Sequence, residues 1–318
     1  MERKPDIDGP TLEALLRRAF GPTTTISYQR TPDGVSTQVY RLNRGAEVFY
    51  LRIAEEPQET LAVDAELLRQ LRRLGVRVPD PVYLERLAPV ITRSVLITTE
   101  MPGQPLAQAS SPIAAASVAR AAGRDLAILN QVAVEGFGWI RRDGPEWPLT
   151  AELQAYSEFV TSYLPNDWPG ALRSLFPATE LDSIGRMITT EKQRYLLHGQ
   201  LSHGDFDVTP IFQQHGVYTG LIDFGEIRGT EPFFDLGHFY LHEGETLPVP
   251  LLDHLLQGYR EVVRLPSDYM EQIRCSAILL GLRQLCRWIS AEQRVPLDHP
   301  KVTYRAKRIS ELLTHDSL

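Results

Sequence analysis

Cysteine is nearly absent from the chain, which has only Cys275 and Cys286 among its 318 residues. Both fall on a helical pattern of apolar neighbours, which predicts two small side chains in the core. A disulfide framework or a cysteine-based metal site would need more partners at closer spacing. We expect neither.

Long hydrophobic runs are also missing. The longest, around residues 277–282, is far too short to cross a bilayer. The first 20 residues begin with charged side chains and lack the continuous apolar core that a signal peptide needs. We therefore expect a cytoplasmic protein that does not associate with membranes.

The chain has no excess of basic residues. Residues 1–101 hold 14 basic and 14 acidic side chains, whereas residues 102–318 hold 19 and 26, and the net charge is −7. A nucleic-acid surface would need a basic patch, so we expect no nucleic-acid partner. The acidic second part mildly favours a cationic or neutral small partner, although a solvated acidic surface explains it equally well.

The order of predicted elements indicates an α+β protein with two lobes. Three β segments between residues 26 and 55 precede a helix at 61–75 and further strands at 76–85 and 94–100. After Pro102 and Gly103 the pattern becomes mainly helical, at 116–132, 152–164 and 181–197, with one hairpin at 211–224. This predicts a small β-rich lobe over 1–101 and a larger helical lobe over 102–318, with a ligand cleft between them.

Two aspartates are the strongest chemical signal. Asp205 follows His-Gly in a loop, and Asp223 ends the apolar run GLID, 18 residues later. The predicted hairpin between them brings both loop ends to one side of the sheet. One carboxylate there can accept a proton from a hydroxyl, and the other can hold Mg²⁺ on the phosphates of a nucleotide.

These motifs resemble the aminoglycoside phosphotransferase and choline kinase superfamily, which has a protein-kinase-like fold. The family signature is His-Gly-Asp, four residues and Asn, then a hairpin, Ile-Asp-Phe/Trp and Gly-x-x-Pro-x-x-Asp-Leu. The matching segments here are His203–Asp205, Ile222–Phe224 and Gly229–Leu236. The resemblance runs from about Thr23 to at least Phe239, some two thirds of the chain.

The resemblance implies an ATP- and Mg²⁺-dependent kinase that phosphorylates a hydroxyl group of a small molecule. It makes Asp205 the catalytic base and Asp223 the metal ligand. It makes His203 a brace of the loop and Asp235 a buried structural anchor.

In the small lobe, Arg52 stands on the strand where the family places the cation that contacts the α and β phosphates. The helical partner of that cation is then Asp64, because a longer cation offsets a shorter acid. Glu66 is the alternative if the helix is in a different register. A surface pair of little consequence would give the same sequence.

Four further nucleotide contacts rest on position within the family pattern. Gly34, in the turn between the first two strands, would cover the phosphates, and Ser36 would donate hydrogen bonds to them. In the connection between the lobes, the backbone of Thr99 and Met101 would meet the adenine edge.

Position 210, where the family has Asn, is Pro. Pro has neither a side-chain oxygen for a metal ion nor a backbone N–H. Three interpretations remain open. An active kinase handles its metal with Asp223 and one ion, or recruits Asp207, Thr209, Gln213 or water. Alternatively, a catalytically impaired kinase-fold protein binds a nucleotide or small ligand without efficient transfer. In the third, a shifted loop brings another polar residue to the place of the Asn.

Overall fold

The computed structural model describes residues 6–31 and 38–314. Within them the chain forms a β-rich amino-terminal lobe followed by a mainly helical carboxyl-terminal lobe, as the order of sequence patterns predicts. The fold is therefore α+β and two-lobed.

The amino-terminal lobe is built on one antiparallel sheet in the order β1-β2-β3-β5-β4. Apolar side chains alternate along its central strands, so that one face is buried, as in Phe49, Leu51 and Ile53. The strands are β1 (Ser27–Arg30), β2 (Gln38–Arg44), β3 (Glu47–Ile53), β4 (Pro81–Ala88) and β5 (Arg93–Thr99).

Two helices complete this lobe. The first, α1 (Gly9–Phe20), buries Leu12, Leu15 and Leu16 against the sheet, as the apolar spacing of the sequence predicts. The second, α2 (Ala62–Arg73), follows β3 directly and has the carboxylate of Asp64 in its first turn. This order brings an acidic side chain at the start of α2 close to β3.

The carboxyl-terminal lobe packs its helices around two apolar clusters, which meet near Phe234 and Phe239 on one helix. Those helices are α3 (Pro112–Leu129), α4 (Tyr156–Thr161), α5 (Trp168–Leu172), α6 (Ala178–Gln193), α7 (Phe234–His242), α8 (Leu252–Tyr259), α9 (Tyr269–Ile289) and α10 (Pro300–Thr314). The predicted helix over 152–164 is largely wrong. Residues 151–153 instead form a strand that pairs at a sheet edge, and only Tyr156–Thr161 is helical.

Two small sheets lie within this lobe, in the orders β7-β10-β13-β8-β9 and β12-β11-β6. The second contains the predicted hairpin, in which Ile211 pairs with Leu221. The strands are β6 (Gln104–Pro105), β7 (Ala133–Val134), β8 (Phe137–Ile140), β9 (Ala151–Leu153), β10 (Gly199–Ser202), β11 (Ile211–Gln214), β12 (Val217–Leu221) and β13 (Arg228–Thr230).

Both cysteines lie on α9 as free thiols, Cys286 buried and Cys275 half-buried. Burial raises the pKa of the Cys286 thiol to about 11. Across the described ranges, none of the helices has the length and apolar content needed to cross a membrane.

Candidate active site

One buried carboxylate anchors the loop between β10 and β11. Asp235, at the start of α7, accepts hydrogen bonds from the backbone N–H groups of His203 (2.9 Å) and Gly204 (3.0 Å). It also accepts one from the side chain of Asn130 at 2.9 Å. Asp235 is fully buried, so its charge is balanced by donors that belong to the loop and to the end of α3.

Gly204 gives the loop its sharp turn. Its φ is +89°, and a Cβ atom added there would lie 1.8 Å from the carbonyl oxygen of Glu226. A larger residue is therefore excluded both by backbone strain and by contact. The turn leaves the next residue, Asp205, exposed between the buried residues Gly204 and Phe206.

Asp205 turns its carboxylate toward solvent, with 61% of the side chain exposed. Its Oδ1 lies 3.3 Å from Nε2 of His238, a residue of α7. The hydrogen bond from His238 is the main reason that the pKa of the Asp205 carboxyl is lowered to about 2. The carboxylate is thus ionised, and Oδ2 makes no hydrogen bond with any described residue.

His238 contacts two acceptors at once. Its Nδ1 lies 3.1 Å from the carbonyl oxygen of Phe206, and its Nε2 faces Asp205. The ring also stacks on His242 at 4.5 Å between centroids. The sequence alone does not point to His238, because nothing in the primary pattern pairs a helical His with a loop Asp 33 residues earlier.

Asp223 follows β12 at the mouth of the hairpin, next to Pro210. The Ile222 N–H donates to the carbonyl oxygen of Pro210 at 3.0 Å, and the Ile222 carbonyl accepts from Nε2 of His203 at 2.8 Å. His203 thus ties the loop to the hairpin. Asp223 itself adopts a left-handed conformation (φ 64°, ψ 61°), which is uncommon for a residue with a side chain and is concentrated at functional sites.

The Asp223 carboxylate suits a magnesium ion that arrives with a nucleotide. It is exposed, and it makes no hydrogen bond or ion pair with the residues that the structure describes. Mg²⁺ is commonly bound by one or two carboxylates together with phosphate oxygens and water. Among residues 6–31 and 38–314, no three His, Cys, Asp or Glu side chains form a metal site by themselves. The phosphates would therefore have to supply much of the coordination.

In the amino-terminal lobe, Arg52 and Asp64 lie together. Arg52 Nη1 is 3.7 Å from Oδ1 of Asp64, which is only 1% exposed. This distance is too long for a hydrogen bond, so the Arg52 guanidinium is left with donors for another acceptor. The alternative partner, Glu66, pairs within its own helix with Arg69 and Arg73.

A second arginine binds Asp64 more closely. Arg142 lies just after β8 in the other lobe, and its Nε and Nη2 lie 3.1 and 3.4 Å from the two carboxylate oxygens. The loop that carries it, residues 141–149, also places Glu146 in contact with Arg86 of β4. This bridging loop therefore joins the two lobes through two ion pairs.

The other predicted nucleotide contacts, Thr99, Met101, Gly34 and Ser36, differ in their surroundings and in whether the structure describes them. The N–H of Thr99 donates to the carbonyl oxygen of Asp80 at 2.9 Å, so this donor is not available to a ligand. Met101 is nearly buried, and its side chain packs near Gly220 of β12. Gly34 and Ser36 lie outside the described residues.

A cavity of about 1320 Å³ opens beside Asp205 and His238. Its walls come from the carboxyl-terminal lobe and include four aromatic side chains: Trp139, Phe159, Tyr163 and Phe234. The volume is more than enough for a drug-sized molecule. Asp205 and His238 both belong to its lining, so the loop carboxylate faces a space that a small molecule can enter.

Residues 27–271 match the model of the phosphotransferase enzyme family. The chain belongs to this family. No curated protein sequence is significantly similar to it.

Several solved structures of kinases share the fold. The aminoglycoside phosphotransferase APH(4)-Ia superimposes with a TM-score of 0.67 at 13% identity, over 96% of this chain and 98% of that one. A thermostable mutant of the same enzyme, in ternary complex with AMP-PNP and hygromycin B, gives 0.66 at 13%, over 95% and 98%. The amicoumacin kinase hAmiN, in complex with AMP-PNP, Ca²⁺ and Ami, gives 0.65 at 14%, over 96% and 94%.

Proposed function

We propose that the protein is a cytoplasmic ATP-dependent phosphotransferase that acts on a hydroxyl group of a small molecule. The observation that carries the proposal is the Asp205 carboxylate, which is ionised, exposed and directed to a large cavity by a loop anchored on Asp235. Family membership and the nucleotide complexes of two structural relatives support it.

The two lobes divide the work. Residues 1–101 bind the nucleotide, and residues 102–318 carry the catalytic loop and the acceptor site. Arg52 contacts the phosphates through donors that Asp64 does not use. Gly34, Ser36, Thr99 and Met101 are the further nucleotide contacts that we propose.

In the reaction, Asp205 accepts the proton of the acceptor hydroxyl while the hydroxyl oxygen forms a bond to the γ-phosphorus of ATP. The bond between that phosphorus and the β,γ-bridging oxygen breaks, and ADP leaves. The Asp223 carboxylate would hold Mg²⁺, which when bound would neutralise charge on the phosphates. His238 keeps Asp205 ionised and fixes its Oδ1, so that Oδ2 is the oxygen left to face the hydroxyl.

The alternative is a protein of the same fold that binds a nucleotide or small ligand with inefficient transfer. Pro210 is the observation that favours it. Its carbonyl oxygen pairs with Ile222 N–H directly before Asp223, and it offers no side-chain oxygen at that place. Asp207, which is close by in sequence, has an oxygen that accepts from the backbone N–H and the hydroxyl of Thr209.

A thermal-shift titration with AMP-PNP and Mg²⁺, followed by a phosphoryl-transfer screen read by product mass, separates the two functions. Stabilisation by AMP-PNP and a product 80 Da heavier than the acceptor, the mass of an added phosphoryl group, is the expected result. Stabilisation without any product favours the binding protein. No stabilisation by any nucleotide contradicts the kinase and leaves only a protein that binds a small ligand.

The nature of the acceptor is the finer question. The acidic residues that a cationic acceptor would need are mostly engaged elsewhere. Glu243 accepts from the backbone of Leu251 and Leu252, and Glu245 pairs with His242 and Arg305. These contacts argue against a polycationic acceptor.

A further inference from the structure

The cavity beside Asp205 is richer in guanidinium groups than in carboxylates. Its acidic lining consists of Asp205, Glu226 and Glu292. Its basic lining includes four arginines: Arg228, Arg283, Arg287 and Arg294. The chain as a whole has the opposite balance, with a net charge of −7. The local charge of the cavity is therefore not a reflection of overall composition.

Arg228 is already neutralised by the protein. Its Nη2 lies 2.7 Å from the carboxylate of Glu226, and its Nη1 donates to the carbonyl oxygen of Gly204 at 3.1 Å. Its guanidinium also stacks over the ring of Trp139 at 4.0 Å. These contacts make Arg228 a brace between the catalytic loop and the cavity wall, with little charge left for a ligand.

Arg283, on α9, differs in lacking an acidic partner. Its Nη2 donates to the carbonyl oxygens of Phe159 (2.6 Å) and Val160 (3.3 Å), at the end of α4. Its Nε is enclosed without a hydrogen-bond partner, and Nη1 donates to no residue in the described part of the chain. Within those same ranges no carboxylate oxygen lies within 4.0 Å of its guanidinium nitrogens.

The one acid that influences Arg283 from a greater distance is poorly suited to balance it. Glu231 is 4% exposed, and burial raises the pKa of its carboxyl. One of its oxygens accepts from the hydroxyl of Ser276 at 2.8 Å, and the other has no partner. In the described part of the chain, the direct partners of the Arg283 guanidinium are thus backbone carbonyls and no carboxylate.

A desolvated cation without an anion is costly, and a guanidinium binds carboxylates well. We propose that Arg283 binds an anionic group of the acceptor, so that the substrate is a hydroxylated compound with an apolar body and a carboxylate. Phe159 and Phe234 supply the apolar surface of the same cavity. This inference rests on the proposed function only in treating the cavity as the acceptor site.

The test uses matched probes that differ in one charge. These are hydroxylated aryl and alkyl carboxylates, each with its primary amide and its primary amine; one such set is 4-(2-hydroxyethyl)benzoate, 4-(2-hydroxyethyl)benzamide and 4-(2-hydroxyethyl)benzylamine. Kanamycin serves as a polycation. Affinity for the full chain is measured by calorimetry, with and without AMP-PNP and Mg²⁺.

We expect carboxylates to bind about tenfold or more tightly than their amides, and the amines and kanamycin to bind most weakly. In Arg283→Met this preference disappears. The matched control is Arg308→Met. Arg308 also donates to a backbone carbonyl, that of Tyr240, and its guanidinium stacks on the Tyr240 ring. Arg308 does not line the cavity. Arg308→Met keeps the preference for carboxylates.

Tighter binding of amines or kanamycin overturns the inference, as does a carboxylate preference that survives in Arg283→Met. Failure of every carboxylate to bind also counts against it. If Arg283→Met does not fold, the comparison within each probe set in the unaltered chain still tests whether the cavity prefers a carboxylate, and tighter binding of the amides or amines overturns the inference. Absence of AMP-PNP binding would contradict the proposed function instead, because the charge preference is also measured without nucleotide.

Discussion

Nε2 of His238 lies 3.3 Å from Oδ1 of Asp205, and this contact joins helix α7 to the candidate catalytic loop. The same helix begins with Asp235, which holds the backbone of that loop through His203 and Gly204. One helix therefore positions both the backbone and the carboxylate of the loop.

Replacing Asp205 with Asn should abolish turnover and spare nucleotide binding. The amide cannot accept the hydroxyl proton, and loss of a general base costs roughly 10²–10⁴ in rate. Steady-state transfer to an identified acceptor and AMP-PNP affinity are the two measurements. Asp182→Asn, on the exposed face of α6, is the control and should keep full activity. Turnover retained in Asp205→Asn would show that another group is the base.

His238→Asn should raise the pKa of the Asp205 carboxyl from about 2 toward its usual value of 3.8, because the principal hydrogen bond is lost. Because the pKa of the Asp205 carboxyl is depressed in the folded protein, the stability that its charge contributes is fully present above the pKa of this group in the unfolded chain. That contribution is lost as the pH falls through the pKa of the folded state. The acidic limb of kcat/KM should therefore move to higher pH in the variant. The pH–rate profile from acid to neutral pH measures this; identical limbs would contradict the role of His238.

Pro210→Asn should increase kcat, by about tenfold, if the missing oxygen limits metal handling beside Asp223. The backbone carbonyl that accepts from Ile222 is kept in this variant. Pro210→Ala removes the ring without adding an oxygen and is the control. Equal rates for the two variants would indicate that the chain uses a different arrangement, and Asp207→Asn then tests whether Asp207 substitutes.

Arg142→Met should destabilise the protein by about 1–3 kcal/mol, because it leaves the buried Asp64 carboxylate with only the distant Arg52. Arg52→Met should instead raise the KM for ATP with a smaller loss of stability. Denaturant unfolding and ATP kinetics on both variants separate these effects. An unchanged unfolding free energy in Arg142→Met would mean that its ion pair with Asp64 contributes little.

The sequence was sufficient to predict the elements with strong local patterns. The strands around Tyr40 and Leu51 alternate cleanly, and helix α2 shows an apolar face that puts Asp64 in register with Arg52. The motif around Asp205 was also readable, because it is short and contiguous. These are features that neighbouring residues determine.

What escaped prediction depends on contacts between distant segments. Arg142 binds Asp64 although the two residues are 78 positions apart in the sequence. Neither residue lies in a local pattern that predicts the other as its partner. The sequence predicts a helix that includes most of strand 151–153, because the apolar spacing there continues that of α4. Only pairing with β8 makes this segment extended. Likewise, that no described carboxylate contacts the Arg283 guanidinium becomes evident only once the surrounding side chains are placed.

The bridging loop, residues 141–149, has a consequence for how the two lobes separate. Arg142 with Asp64, and Glu146 with Arg86, are charge pairs between the lobes, and the second lies largely at the surface. Separation of the lobes must break them, so dissolved ions compete with the closed form. Release of ADP should accordingly become faster as ionic strength rises, which makes salt a control on the lifetime of the product complex.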